Sequence, residues 1–398
     1  MIAHFAAFHA NYGDLLYHPL LAGVLAKLGM HNQMQPVAIL GGAAPLEAGY
    51  QVAAAREILA SHSPTLSTVI IGGGAVLKPY SETMINNFLA PEHAIPDPSL
   101  SKGTRWISRL FRKNKWSATA SSWLTYPNVA PYILDPDHFS KRPRVAYCSC
   151  GAGAAFPALP KAEAATAFDR ASFIYVRDEW TASAIRQLGV DREIHVAPDL
   201  AVLASDLYPH DERRQYGRSL FEQYGLKRDR PVFVVQSAPS DDSQRSQDFV
   251  KLLQELRDRH DANIVLLPIG YCHSDHEYLS TIAATTGFLL LAKPHVLSIL
   301  SIIAAADAFI GTSMHGCVTA FSYGIPFVIG PTVHAKQAGF LSACNLDPTL
   351  EVGKWSDGMC ALERSRELGN AYFASRLERA RERIYQVMRM MLPALQGA

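Results

Sequence analysis

A chain of 398 residues, 48% hydrophobic and 18% charged, is too long for one small module and too apolar for a disordered segment. Two or three globular domains with large buried faces are expected. Thirty-seven Lys and Arg against 36 Asp and Glu leave a net charge of +1, so no global field selects nucleic acid. The opening stretch MIAHFAAFHANYGD lacks a basic segment followed by an apolar one, which argues against a secretory leader. Six cysteines without a CxxC pair suit a reducing compartment better than a disulfide framework. Cytoplasmic residence is the expectation, with room for peripheral attachment at the inner face of a membrane.

In chain order, Val-, Ile-, Phe- and Tyr-rich runs at 37–40, 69–71, 145–147, 173–176 and 194–196 alternate with helical patterns, the signature of βα units and a largely parallel sheet. The segment 101–117 departs from this scheme. It carries Lys102, Arg105, Arg109, Arg112, Lys113 and Lys115 interleaved with Trp106, Ile107, Leu110, Phe111 and Trp116. Such a basic, aromatic stretch suits an anionic bilayer or a phosphorylated lipid carrier; a solvated insertion loop is the plainer reading. Residues 206–230 are charged and Tyr-rich and are read as the crossing between domains.

A second series of strands is expected at 232–235, 264–267, 288–291, 308–310 and 327–329. The apolar stretch 297–310 is broken by Ser298, Ser301 and Asp307 and is too short to span a bilayer, so it reads as a buried helix. In the tail, Phe373, Leu377, Ala380, Ile384, Val387 and Met391 recur at three- and four-residue spacings and predict a long closing helix. The fold class is therefore α/β, two doubly wound Rossmann-like domains with a C-terminal helix. Its divisions are 1–205, the crossing 206–230, 231–355 and the helical segment 356–398. In such folds ligands bind at the carboxyl ends of the strands.

The stretch 307–328 is the most informative. A strand ends at Gly311, the turn Thr312-Ser313 follows, and a helix is expected to begin near His315-Gly316 and to stop at Gly324-Ile325-Pro326. Free backbone N–H groups and a positive helix end make this turn an anion site, with His315 at its lip. The plainer reading is a capping or core histidine. Arg177-Asp178-Glu179 also reads two ways, as a site or as the acidic start of a helix. Asp14 suits either a helix cap or an acceptor's hydroxyls, and the glycines at 72–74 either a close approach or a tight turn. Cys148 and Cys150 are expected on one face of a strand as buried small residues. The cluster Cys272-His273-Ser274-Asp275-His276-Glu277 has metal-ligating residue types, but a capping box Ser274…Glu277 explains it without a cation, and no metal is assigned.

Gly311-Thr312-Ser313-Met314-His315-Gly316, followed by Ala320, Gly324 and Pro326, resembles the signature block of the polysaccharide pyruvyl transferases. Asn11-Tyr12-Gly13-Asp14, Gly72-Gly73-Gly74, Gly151-Ala152-Gly153, Arg177-Asp178-Glu179, Pro198-Asp199 and Lys336 with Gly339-Phe340 match in the same order. The resemblance implies a GT-B-like fold. It also implies transfer of the pyruvyl group of phosphoenolpyruvate to two hydroxyls of a saccharide or lipid-linked saccharide as a cyclic ketal, with release of phosphate, in the making of an exopolysaccharide or other cell-envelope polymer. The donor is phosphoenolpyruvate and no cofactor is implied. His315 and Arg177 are then catalytic; Thr312, Ser313, Met314, Gly316 and Lys336 hold the donor; Asn11, Asp14, Gly73, Gly74 and Asp178 hold the acceptor. One position departs from the pattern. Where many members carry arginine, this chain has Ser313, leaving Lys336, Lys293 or His334 to supply the missing charge. That departure keeps two alternatives open, a GT-B glycosyltransferase using a sugar nucleotide and a non-catalytic saccharide-binding relative.

Overall fold

The β-branched runs form two separate sheets. The computed structural model describes residues 1–39, 41–59, 65–78, 130–153, 156–226, 229–240, 242–332 and 336–396, so the basic segment 101–117 and His334 lie outside the described residues.

The first unit comprises Met1–Ala10, Tyr17–Ala197 and Tyr385–Ala398. Its strands are β1 (Ile2–Phe5), β2 (Met34–Ala38), β3 (Gly42–Ala43), β4 (Gln51–Ala54), β5 (Thr68–Gly72), β6 (Arg144–Cys150), β7 (Phe173–Val176) and β8 (His195–Val196). They pair in the order β3-β4-β2-β1-β5-β6-β7-β8, with β3 antiparallel to β4 and the remaining pairs parallel. Parallel strands are buried on both faces, and β1, β5 and β7 are buried throughout. The helices of this stretch are α1 (Tyr12–Lys27), α2 (Ala55–Ile58), α3 (Lys161–Asp169) and α4 (Glu179–Arg186).

Cys148 and Cys150 are both fully buried but do not share a face as expected. Ser149 between them has φ 52°, and the register of β6 against β7 shifts between Tyr147 and Cys150. This bulge turns Cys150 to the face of Tyr147, where its thiol meets the Ile71 carbonyl at 3.2 Å, while Cys148 faces Met388 at 3.7 Å.

The second unit comprises Asn11–Leu16 and Pro198–Ile384. Its strands β9 (Val232–Gln236), β10 (Asn263–Leu266), β11 (Leu289–Leu290), β12 (Ala308–Gly311) and β13 (Phe327–Ile329) are all parallel, in the order β11-β10-β9-β12-β13. Its helices are α5 (Ala204–Leu207), α6 (His210–Gln223), α7 (Ser243–His260), α8 (Asp275–Thr286), α9 (Val296–Ala305), α10 (Met314–Ser322), α11 (Lys336–Ala343) and α12 (Gly358–Gln396). Phe233, Phe249, Leu253 and Trp355 anchor the core on one side of this sheet.

These units divide the chain differently from the expected 1–205 and 231–355. The break falls at 197/198, and residues 11–16 count with the second unit. The expected crossing at 206–230 is largely the helix α6, held against α9 because Gly217 has no side chain. A Cβ there would strike the Ser301 carbonyl and Ala305. The closing helix α12 buries all six residues of its predicted stripe, is interrupted at Gly369 (φ 72°), and from Tyr385 counts with the first unit. There the Leu395 carbonyl accepts from Thr68 Oγ1 (3.1 Å) and Arg144 Nη1 (3.3 Å).

Candidate active site

In the second sheet the strand order reverses between β9 and β12, the switch point where open parallel sheets bind ligands at their carboxyl ends. Gln236 ends β9 and pairs with Gly311, which ends β12. A Cβ on Gly311 would press within 3.0 Å of the Gln236 amide oxygen, so glycine here leaves room for that side chain. Ser313 then caps α10, its Oγ accepting from Gly316 N–H at 3.3 Å. The helix start expected near His315 is therefore present, and the serine at the position of the missing arginine has a structural task.

The free N–H groups of this turn are fewer than the sequence suggests. Ser313 N–H donates to Gln236 Oε1 at 2.8 Å, and Gly316 N–H is taken by Ser313 Oγ. The first-turn N–H groups of Met314 and His315 have no acceptor within the helix and are the ones left for an anion.

His315 is 8% exposed, set within the second unit rather than at a lip. Its ring lies against Gly13, where any Cβ would collide with it. Its Nε2 is buried without a hydrogen-bond partner and stands 3.7 Å from Asp199 Oδ2. Thr319 Oγ1 donates to the His315 carbonyl at 2.7 Å, so the Tyr12 hydroxyl, 2.9 Å away, donates to Thr319; burial holds the Tyr12 phenol up and neutral. The Asn11-Tyr12-Gly13 segment thus braces His315. Tyr12 N–H bonds the Ile269 carbonyl (3.0 Å), Asn11 bridges Gly270, and Asn11 Oδ1 accepts from Gly13 N–H at 3.2 Å. Asn11 and Asp14, expected on the acceptor side, sit with the unit that carries His315.

A buried polar network lies behind the turn. Asp275 Oδ2 accepts from Gln236 Nε2 (2.7 Å), Gly270 N–H (2.8 Å) and Ile269 N–H (3.4 Å). Burial pushes its carboxyl up to about 6. Gln236 Oε1 receives Ser313 N–H and, at 3.3 Å, the Thr312 hydroxyl. Gln337 Nε2 donates to the Thr312 carbonyl at 3.1 Å, and its own Oε1 is buried without a partner. Lys336 opens the helix beside it. Of the other cation proposed to stand in, Lys293, the backbone N–H donates to the Tyr271 hydroxyl.

The expected capping box at Ser274 is not formed. Ser274 adopts φ 62°, makes no side-chain cap, and it is Asp275 that is drawn inward. Among the described residues no group of three His, Cys, Asp or Glu side chains is arranged to hold a metal, and no helix is long and apolar enough to cross a membrane.

In the first unit, Arg177 and Asp178 are each 3% exposed. The Arg177 guanidinium lies over Gly151, where a Cβ would come within 2.5 Å of its Nε. Asp178 caps α4, its Oδ1 accepting from Thr181 N–H at 2.7 Å, with Oδ2 3.7 Å from Arg177 Nε; the helix-start reading describes this carboxylate. Gly73 and Gly74 have φ 89° and 71°, and a Cβ on Gly73 would meet the Tyr17 ring at 2.9 Å. Asp199, Gln236, Asp275 and Gln337 were not assigned as site residues from sequence. The available signals were a glutamine closing an apolar strand at its carboxyl end and an aspartate after a glycine turn.

A family model for polysaccharide pyruvyl transferase matches residues 11–329. No curated protein matches the chain by sequence. Among solved structures, a glycosyltransferase from Rickettsia africae is 9% identical with TM-score 0.51, covering 100% of this chain and 99% of its own. An Anabaena protein, HepE, solved with UDP and glucose, is 12% identical with TM-score 0.51 and the same coverage. A Methanocaldococcus jannaschii UDP-GlcNAc 2-epimerase is 11% identical with TM-score 0.51, covering 96% of this chain and 98% of its own. At these identities the likeness establishes the fold, which is of the GT-B type.

Proposed function

The chain belongs to the polysaccharide pyruvyl transferase family, and from that premise we propose that it transfers pyruvate from phosphoenolpyruvate to two hydroxyls of a saccharide or lipid-linked saccharide. The donor methylene gains a proton and becomes a methyl group, its C2 bonds to both hydroxyl oxygens, and the C2–O bond to phosphate breaks. One hydroxyl proton balances the methylene and the other leaves with phosphate. The observation that carries this reading is the buried His315 at the N-terminus of α10, beside Asp199 and next to two N–H groups left for an anion.

In this scheme His315 delivers the proton to the methylene or to the departing phosphate, and Asp199, 3.7 Å from Nε2, places a carboxylate beside the imidazole. The α10 N-terminus and Lys336 hold the donor's anionic groups, and Arg177 is a rigid fork for a carboxylate or phosphate. The protein incubated with phosphoenolpyruvate and a panel of saccharides and lipid-linked saccharides should release phosphate only when an acceptor is present, and His315→Ala should abolish the release. Silence of the wild type across the panel would count against it.

The neutral cap at Ser313 favours a second reading, a glycosyltransferase whose sugar-nucleotide diphosphate occupies the same helix end. Thermal stabilisation by UDP, GDP or their sugars, with none from phosphoenolpyruvate, selects it. Stabilisation by saccharides alone, with His315→Ala indistinguishable from wild type, selects a non-catalytic saccharide binder.

A further inference from the structure

Three donors converge on one oxygen of Asp275, a residue only 2% exposed. An ionised carboxylate can only accept, so it compels the Gln236 amide to face it with the NH2 group. The amide oxygen is then turned toward Ser313 N–H and the Thr312 hydroxyl. Thr312 Oγ1 already accepts from Ala238 N–H at 3.1 Å, so its own proton has Gln236 Oε1 as its acceptor. Every proton in the chain from Asp275 to the turn has a determined direction.

We infer that Asp275 and Gln236 act as a positioning relay for the anion end of α10, fixing the Thr312-Ser313 turn so that the Met314 and His315 N–H groups are presented to a phosphorylated donor. This rests on reading that helix end as the donor site. A protonated Asp275 could donate to Gln236 Oε1 instead and let the amide turn over. The NH2 group would then oppose Ser313 N–H, donor against donor, and the turn would have to open. Burial brings this proton uptake close to neutral pH, with the carboxyl at about 6. The groups facing Asp275 are Glu277 on its own helix, Tyr271 and His273 in the preceding turn, and the neutral Gln236 from β9. An asparagine would accept the same three bonds without the cost of burying a charge, but its amide could face either way. The charged residue is the one that allows a single orientation.

The test is calorimetric titration of phosphoenolpyruvate, and of sulfate as an anion whose charge is constant with pH, into the full chain and its Asp275→Asn and Gln236→Met variants, at about pH 8 and about pH 5.5, on either side of the carboxyl's midpoint. Wild type should bind sulfate roughly three- to tenfold more weakly at the lower pH through this relay. Asp275→Asn should show a smaller pH step with both ligands, and Gln236→Met should bind weakly at both pH values with no step of its own beyond that of Asp275→Asn. In turnover the loss should fall on KM for the donor rather than on kcat. An unchanged pH step in Asp275→Asn, or wild-type affinity in Gln236→Met, overturns the relay and leaves the donor site standing. If wild type binds neither anion at either pH, the donor-site reading falls and the relay with it.

Discussion

At the scale of single residues, each unit makes room for a motif side chain by leaving out a Cβ. Gly13 supplies a bare backbone against the His315 ring, and Gly151 does the same for the Arg177 guanidinium. Gly13→Ala should displace the imidazole and lower turnover at least tenfold while costing about 1–3 kcal/mol of stability, the usual range for overpacking; steady-state kinetics beside denaturant unfolding measures both. Ser313 exchanges a charge for a cap. Ser313→Ala and Ser313→Arg should each lose about 1 kcal/mol of stability, because neither side chain can accept Gly316 N–H. Ser313→Arg should nonetheless bind phosphoenolpyruvate more tightly, which calorimetry can separate from the loss of the cap. His315 and Arg177 were legible in the sequence as motif residues. Asp199, which faces His315, was legible only as part of a Pro-Asp pair, since nothing local says that a carboxylate after β8 will meet a histidine more than a hundred positions later.

At the scale of elements, periodicity located strands and helices well and misjudged what one residue can do to them. The stripe Phe373, Leu377, Ala380, Ile384, Val387 and Met391 is buried as its spacing required. The bulge at Ser149 defeated the two-residue alternation that placed Cys148 and Cys150 together, because one extra residue reverses every later side chain. The charged surface of α6 resembled a linker, but Gly217 in its midst seats it on α9. Gly217→Val should separate the two helices and cost about 1–3 kcal/mol or more in chemical denaturation, with hydrogen-exchange protection lost first in α6 and α9.

At the scale of the whole molecule, the two units should respond to acid with opposite sign. In the first unit the stacked His4 and His18, 3.0 Å apart between their Nδ1 atoms, are kept neutral by burial, with His18 pushed down to about 4 and His4 also lowered. The unfolded chain takes up these protons near pH 6.5, so the first unit loses stability as pH falls from about 6.5 toward 4, by about 3 kcal/mol for His18 alone when fully expressed. In the second unit the folded Asp275 keeps its proton up to about 6, whereas the unfolded one releases it near 4. That term stabilises the second unit in acid and is lost as pH rises through about 6. Hydrogen exchange at about pH 5 and about pH 7, corrected for intrinsic rates, should show β1, β2 and α1 losing protection in acid while β9 and α8 do not; equal losses in both would refute the assignment.

The sequence by itself determined the alternation of strands and helices, the closing helix, the helix start after Gly311 and the family, because each is written in local spacing or in an ordered series of short motifs. Tertiary structure decided the partnerships. Tyr12 with Thr319, Asp199 with His315, and Gln236 with Asp275 and Ser313 join residues from separate elements. Which loops share a sheet edge depends on strand order, and in the second unit β9 and β12 become neighbours although two strands lie between them in the chain. Spacing encodes which face of an element is buried; only the packed order of the strands brings the polar ends of β9 and β12 together with Asp275, and so places the relay behind the helix that carries His315.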